Sequence, residues 1–349
     1  MKNRNYLKTA AAVAAAFTIS AAAGFTMMSG SFGTNNTVYA AEASETSELV
    51  TSTAKTTQTS ATQTSELATS TTQTSELASS LNMVTGGALD TTDLFTDRDL
   101  EQTADLSEAV SYTITDGQTI TITSEGVYLI SGTASNASVV VEAGDEDKVQ
   151  IVLDGVSITN DSMPCIYIKS ADKVFVTTTD TDNTLTVTGT FTADGETNTD
   201  AVIFSKDDLV LNGTGTLTIK SSDNGVSCKD DLKITGGTIN IDCTADALEA
   251  NDSIRIADGT INIVTNKDAL HAENEEDDTV GFVYICGGTL NVKAEDDAIH
   301  ATTILQIDDG ELNLSAHEGL EAPGFRSTAE PSTLKPVTTR SMRLTNRPK

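Results

Sequence analysis

The sequence predicts an all-β chain wound as a single-stranded parallel β-helix with coils of about 22 residues. Three observations predict it. First, one phrase recurs: Asp246-Ala-Leu-Glu-Ala, Asp268-Ala-Leu-His-Ala and Asp297-Ala-Ile-His-Ala, flanked by Asn224-Gly-Val-Ser-Cys and Glu318-Gly-Leu-Glu-Ala. Its spacings are 22, 22, 29 and 21 residues, the long one carrying an acidic insert around Glu273 to Val280. Second, another phrase alternates with it, as in Leu232-Lys-Ile-Thr-Gly-Gly-Thr-Ile-Asn-Ile and Ile254-Arg-Ile-Ala-Asp-Gly-Thr-Ile-Asn-Ile. Third, the apolar residues within it fall on every second position, which is strand periodicity, and no helical stretch intervenes.

Each element follows from that pattern. Gly-Gly and Asp-Gly pairs turn the chain between strands. Three short strands and three turns complete a coil. Equivalent residues then stack about 4.8 Å apart. Ile and Leu columns form the core, and Ala250, Ala272 and Ala301 occupy a tight corner. Asn240, Asn262, Asn291 and Asn313 are expected to form an amide ladder. Upstream, Ser111 to Thr123 reads as strand, turn, strand; Gly126 to Gly132, Lys148 to Thr159 and Ile166 to Val176 are less regular coils. Residues 192–200 read as a loop thrown out from one corner. Four cysteines (Cys165, Cys228, Cys243, Cys286) lack metal-ligand spacing and read as small core or turn residues.

Charge is distributed unevenly. The chain has 51 acidic and 21 basic residues. Residues 41–322 hold 50 of the acids and 12 of the bases, a net of −38. Phosphate binding needs clustered Lys and Arg, so the balance argues against nucleic acid and for cations. At the start, Lys2, Arg4 and Lys8 precede an Ala-rich apolar run, and Val38-Tyr39-Ala40 offers a small-residue cleavage site. Residues 1–40 therefore read as a secretory signal peptide, with a secreted, extracellular or cell-surface product. The Ala-dominated run is short for a retained anchor. Residues 41–109 read as a disordered Ser/Thr-rich linker, and 110–322 as the β-helix domain.

Several phrases resemble a known family. Gly126-Val-Tyr-Leu-Ile-Ser-Gly, Lys148-Val-Gln-Ile-Val-Leu-Asp-Gly-Val, Phe204-Ser-Lys-Asp-Asp-Leu and Gly225-Val-Ser-Cys-Lys-Asp-Asp-Leu-Lys-Ile-Thr-Gly-Gly are similar to secreted carbohydrate-binding domain-containing proteins of Gram-positive bacteria. The resemblance covers about 110–322. It implies a right-handed parallel β-helix related in shape to pectate lyases. It also implies bound calcium and affinity for an acidic polysaccharide such as polygalacturonate.

After Ala322 the pattern stops. Residues 323–349 hold six bases and one acid and are aperiodic. One back-translation of this tail, read from the third base of the Ala322 codon, gives Thr-Trp-Val-Gln-Ile-Asn-Gly-Gly-Thr-Ile-Asn-Ile. That matches the missing coil, so with these chosen codons the tail is compatible with the loss of one base. The tail is then expected to be disordered and the last coil uncapped.

The acidic repeat position carries the candidate chemistry. Stacked carboxylates about 4.8 Å apart repel by roughly 3.5 kcal/mol at an effective dielectric near 20. Relief comes from turn amides, from protonation, or from calcium, which takes several oxygen ligands. Asn224, Asp246, Asp268, Asp296, Asp297 and Glu318 are the candidate calcium ligands; the bland alternative is that these residues cap turns. Glu275, Glu276, Asp277 and Asp278 of the insert offer a second cation site or a solvated loop. His271 and His300 share a column with Glu249 and Glu321, but no third zinc ligand is placed well.

Lys233 and Arg255 fall in one column continued by Tyr284, and these three are the candidate carbohydrate contacts. A calcium-dependent lyase needs a Lys or Arg base beside the metal. No lyase-type Arg signature stands out. The reading is a secreted, non-catalytic, calcium-dependent binder of acidic polysaccharide. A calcium-dependent lyase and a structural adhesion solenoid are the alternatives.

Overall fold

Alternating Ile, Leu and Val residues put one face of every strand into a continuous interior. The computed structural model describes residues 88–328, together with the backbone strands Leu334–Pro336 and Ser341–Arg343. The expected signal segment and residues 41–87 of the expected linker lie outside the described residues. Among the described residues all regular structure is β-strand, and every pairing between strands is parallel. No helix of the described residues is long and apolar enough to cross a membrane.

The strands form a 15-stranded and a 10-stranded sheet. One repeat shows the path. Asn224–Cys228 lies in the shorter sheet, Asp231–Ile234 and Thr238–Cys243 lie in the longer one, and Leu248–Ala250 returns to the shorter. Register confirms the repeat: Leu232 pairs with Ile254, Ile254 with Val283 and Val283 with Leu305. In the shorter sheet Val226, Leu248, Leu270, Ile299 and Leu320 align likewise. These columns are buried in a single apolar core.

The amide ladder is present. Nδ2 of Asn262, Asn291 and Asn313 each donates to Oδ1 of the preceding Asn at 2.8 Å. The turn before it needs glycine: Gly237, Gly259, Gly288 and Gly310 have φ of +77°, +109°, +80° and +118°. A Cβ on Gly288 would also come within 2.9 Å of the Gly259 carbonyl oxygen. Cys165, Cys228 and Cys243 are buried and unpaired, and Cys286 is half-buried. The loop near 192–200 folds back so that Asp194 accepts from the Tyr167 hydroxyl, beside a buried cluster of Val140, Tyr167, Ala201 and Phe204.

Two expected boundaries move. Residues 88–109 are not a disordered linker. They carry Asp99, which is fully buried, and hold the longer sheet through side-chain bonds described below. At the other end the strands continue past 322. Gly324–Ser327 pairs with Ile304 to Ile307, and Leu334–Pro336 and Ser341–Arg343 pair with the last coil. The reason is physical: a parallel edge offers unpaired amides, and Phe325 supplies an apolar residue in register with Leu305, 1% exposed. The tail was expected to be disordered; this stretch of it is structured.

Candidate functional site

The acidic repeat position forms a real ladder at the start of the shorter sheet's strands. Each rung caps the next. Asp246 N–H donates to Asn224 Oδ1 at 2.9 Å, Asp268 N–H to Asp246 Oδ1 at 3.0 Å, and Asp297 N–H to Asp268 Oδ1 at 2.9 Å. The turn-capping alternative therefore uses Oδ1 of Asn224, Asp246 and Asp268, and leaves Oδ2 of the two Asp rungs to other partners.

The second oxygens differ along the ladder. Asn224 spends its Nδ2 on Glu249 Oε2 at 2.8 Å. Asp246 Oδ2 takes the Lys267 ammonium at 3.0 Å. Burial pushes the Asp246 carboxyl up, but hydrogen bonds from His271 and Lys267 outweigh it and hold it low. Asp268 Oδ2 faces His271 Nδ1 at 3.1 Å and His300 Nδ1 at 3.6 Å. Burial is again outweighed, and Asp268 lies far below the usual carboxylate range. His271 goes the other way. Burial opposes its charge, but Asp246 and Asp268 raise it to about 10.

The last rungs lack such relief. Asp297 is 5% exposed and its Oδ1 has no hydrogen-bond partner; Glu318 Oε2 is likewise buried without one. Burial, the Asp268 charge and a hydrogen bond with Glu321 push Asp297 up to about 8. One oxygen each of Asp268, Asp296 and Asp297 lies within 4.8 Å of the others. An orphaned buried oxygen beside two more carboxylates fits a hard cation. Of the six expected ligands, the structure gathers these three. Glu318 is the register partner of Asp297. Asn224 and Asp246, at the far end, are committed to protein partners.

Sequence reasoning weighed the stacked imidazoles as zinc ligands but placed no third ligand beside them. Ligand atoms of Asp268, His271 and His300 lie within 4.8 Å of one another, and so do those of Asp297, His300 and Glu321. The expectation that no third ligand sits near the histidines is therefore corrected. Residues i and i+3 of one strand face opposite ways. Asp268, however, precedes the strand Leu270–Ala272, so its side chain reaches the outer face where His271 lies.

The expected carbohydrate column is also corrected. Lys233, Arg255 and Tyr284 do align. Residues 89–102 cover them as a strap. Asp99 bridges Lys233 at 3.1 Å and Lys173 at 3.3 Å. The Leu94 carbonyl accepts from Arg255 at 3.2 Å, and Phe95 lies against Tyr284 with ring centroids 6.4 Å apart. Lys233 is 4% and Tyr284 6% exposed, so no glycan reaches this column with the strap in place.

Beside the ladder lies an open cleft of about 550 Å³, lined by Asn224, Asp246, Glu249, Lys267, His271 and the start of the acidic insert. The insert itself is satisfied as a loop. Asn274 Oδ1 accepts from the Glu276 and Asp277 amides, and Asp277 Oδ1 accepts from Thr279. Among the described residues it contributes to no cation cluster.

The fold is therefore that of an all-β chain of stacked parallel strands, with a half-satisfied carboxylate ladder beside an open cleft. A family model described as carbohydrate-binding domain-containing protein matches residues 116–342, and the chain belongs to that family. A carbohydrate-binding domain-containing protein of Acetivibrio thermocellus is 40% identical over 122 residues, 34% of this chain and 43% of that relative. The match thus spans under half of the relative's length. A solved structure, the polysaccharide lyase-like protein from C. thermocellum as its gadolinium derivative, is similar at a TM-score of 0.56 and 31% identity. It covers 63% of this chain and 94% of its own.

Proposed function

We propose that this protein is a secreted, non-catalytic module that binds an acidic, pectin-like polysaccharide through calcium. We further infer that its coils wind as a right-handed parallel β-helix. The observation that carries the reading is the convergence of Asp268, Asp296 and Asp297 with the orphaned Asp297 oxygen. Calcium takes six to eight oxygens in all, so about three protein carboxylates leave positions for outside ligands. A uronate carboxylate completes such a shell, and a strongly negative protein then holds a negative polymer. Family membership supports carbohydrate as the partner.

The test is sedimentation with insoluble polygalacturonate, in calcium and in EDTA, with the supernatant followed for unsaturated uronate. Binding in calcium alone, with no product, is the expected result. Product would establish the second reading, a lyase. One observation bears on it: Lys267, with its side chain 56% exposed, places an amine at the ladder, paired with Asp246. Lys267→Ala would then abolish product and leave binding. No binding in either condition would leave a structural solenoid.

A further inference from the structure

We infer that His271, His300 and Asp268 hold a late first-row divalent metal ion of the zinc type, at a site that shares Asp268 with the calcium carboxylates but draws on two imidazoles. Three features carry this beyond the calcium reading.

The first is convergence. His271 and His300 pair across adjacent strands, and their rings stack with centroids 4.7 Å apart and planes 25° apart. Both δ nitrogens face the same oxygen, Asp268 Oδ2, at 3.1 and 3.6 Å. Two imidazole nitrogens and one carboxylate oxygen suit zinc, with a fourth position left for solvent or a ligand. Calcium prefers an all-oxygen shell, so the donor set itself separates the two metals.

The second is an unmet nitrogen. His271 Nδ1 is buried, and the carboxylate oxygens near it lie outside hydrogen-bond geometry.

The third is support from behind. His271 Nε2 meets Glu273 Oε2 at 3.1 Å, a carboxylate on the remote ring nitrogen. The Asp297 amide fixes Asp268 through its other oxygen at 2.9 Å. Such outer partners set the tautomer of a ligating His and aim a ligating carboxylate. The side chains of His271 and His300 are 17% and 25% exposed, so the site is shielded yet open on one side.

The test uses the full chain stripped with EDTA and titrated with zinc in excess calcium by calorimetry, and with cobalt(II) by visible absorption. One equivalent of zinc should bind despite the calcium. The cobalt form should show the intense bands of a low-symmetry, nitrogen-containing site. His271→Gln and His300→Gln should each weaken zinc by more than the roughly 100-fold ceiling for outer partners, and Glu273→Gln by about 10-fold. Glu249 and Glu321 fill the same column without an imidazole, so these variants keep a side chain the coil accepts. Their metal-free melting serves as the folding control. Asp296→Asn should weaken the calcium response and leave zinc unchanged, which separates failure of this site from failure of the calcium site. Zinc affinity unchanged in the folded His271→Gln, His300→Gln double variant would overturn the assignment. So would calcium displacing zinc at equal concentration.

Discussion

The Asp297 amide donates to Asp268 Oδ1 at 2.9 Å, yet Asp297's own Oδ1 has no partner. The ladder satisfies each rung through the next one, and at Asp297 that relay stops. A buried unpaired carboxylate oxygen is costly, and a cation or a proton must meet it. Asp297→Asn keeps the shape and removes the charge. The metal-free variant should be more stable by about 1–3 kcal/mol. The stabilisation that calcium gives the natural protein should shrink in it. Calorimetric melting in EDTA and in calcium measures both, and an undiminished calcium shift would count against the carboxylate triad.

The strap makes a second prediction. Asp99 is fully buried between two ammonium groups. Removing one partner of a buried ion pair strands the other charges. Asp99→Ala should therefore cost about 3–5 kcal/mol. Urea unfolding followed by circular dichroism tests it. A loss within the ±0.5 kcal/mol typical of surface sites would mean that the strap is not held by this contact.

Acid should loosen the same strap. Burial raises the Asp99 carboxyl, but the Thr96 amide and the charges of Lys233 and Lys173 outweigh this and hold it below its usual value. A depressed folded value means that the stabilisation is full above the unfolded value near pH 4. It is lost as pH falls through the lower folded value. Amide exchange over residues 89–102 should rise on acidification through that window. In Asp99→Asn this pH dependence should flatten.

Phe325 tests the C-terminal boundary. Its ring is 1% exposed and its backbone pairs with Leu305. Phe325→Ala should cost about 3 kcal/mol, the lower end for a buried Phe. A variant ending at Ala322 should lose at least as much. If both match the natural chain in urea, residues beyond 322 add nothing to the fold.

The sequence by itself determined the parallel coils, their register and the ladders. Those features repeat about every 22 residues, apart from the 29-residue step that carries the insert, so each copy confirms the others. Asn240, Asn262, Asn291 and Asn313 could be placed in one column before any coordinate. The ladder of Asp246, Asp268 and Asp297 was legible for the same reason. Tertiary structure decided what has no repeat. Asp99 meets Lys233 across 134 residues, a contact with no periodic or compositional trace. It turned an expected open glycan column into a covered one, because burying three charges together requires a shape that only the folded sheet supplies. The imidazole cluster was decided in the same way. Asp268 and His271 share a face because the chain bends at Ala269, between Asp268 and the strand, and His300 arrives from the next coil after the insert. Strand alternation alone assigns those side chains to opposite faces.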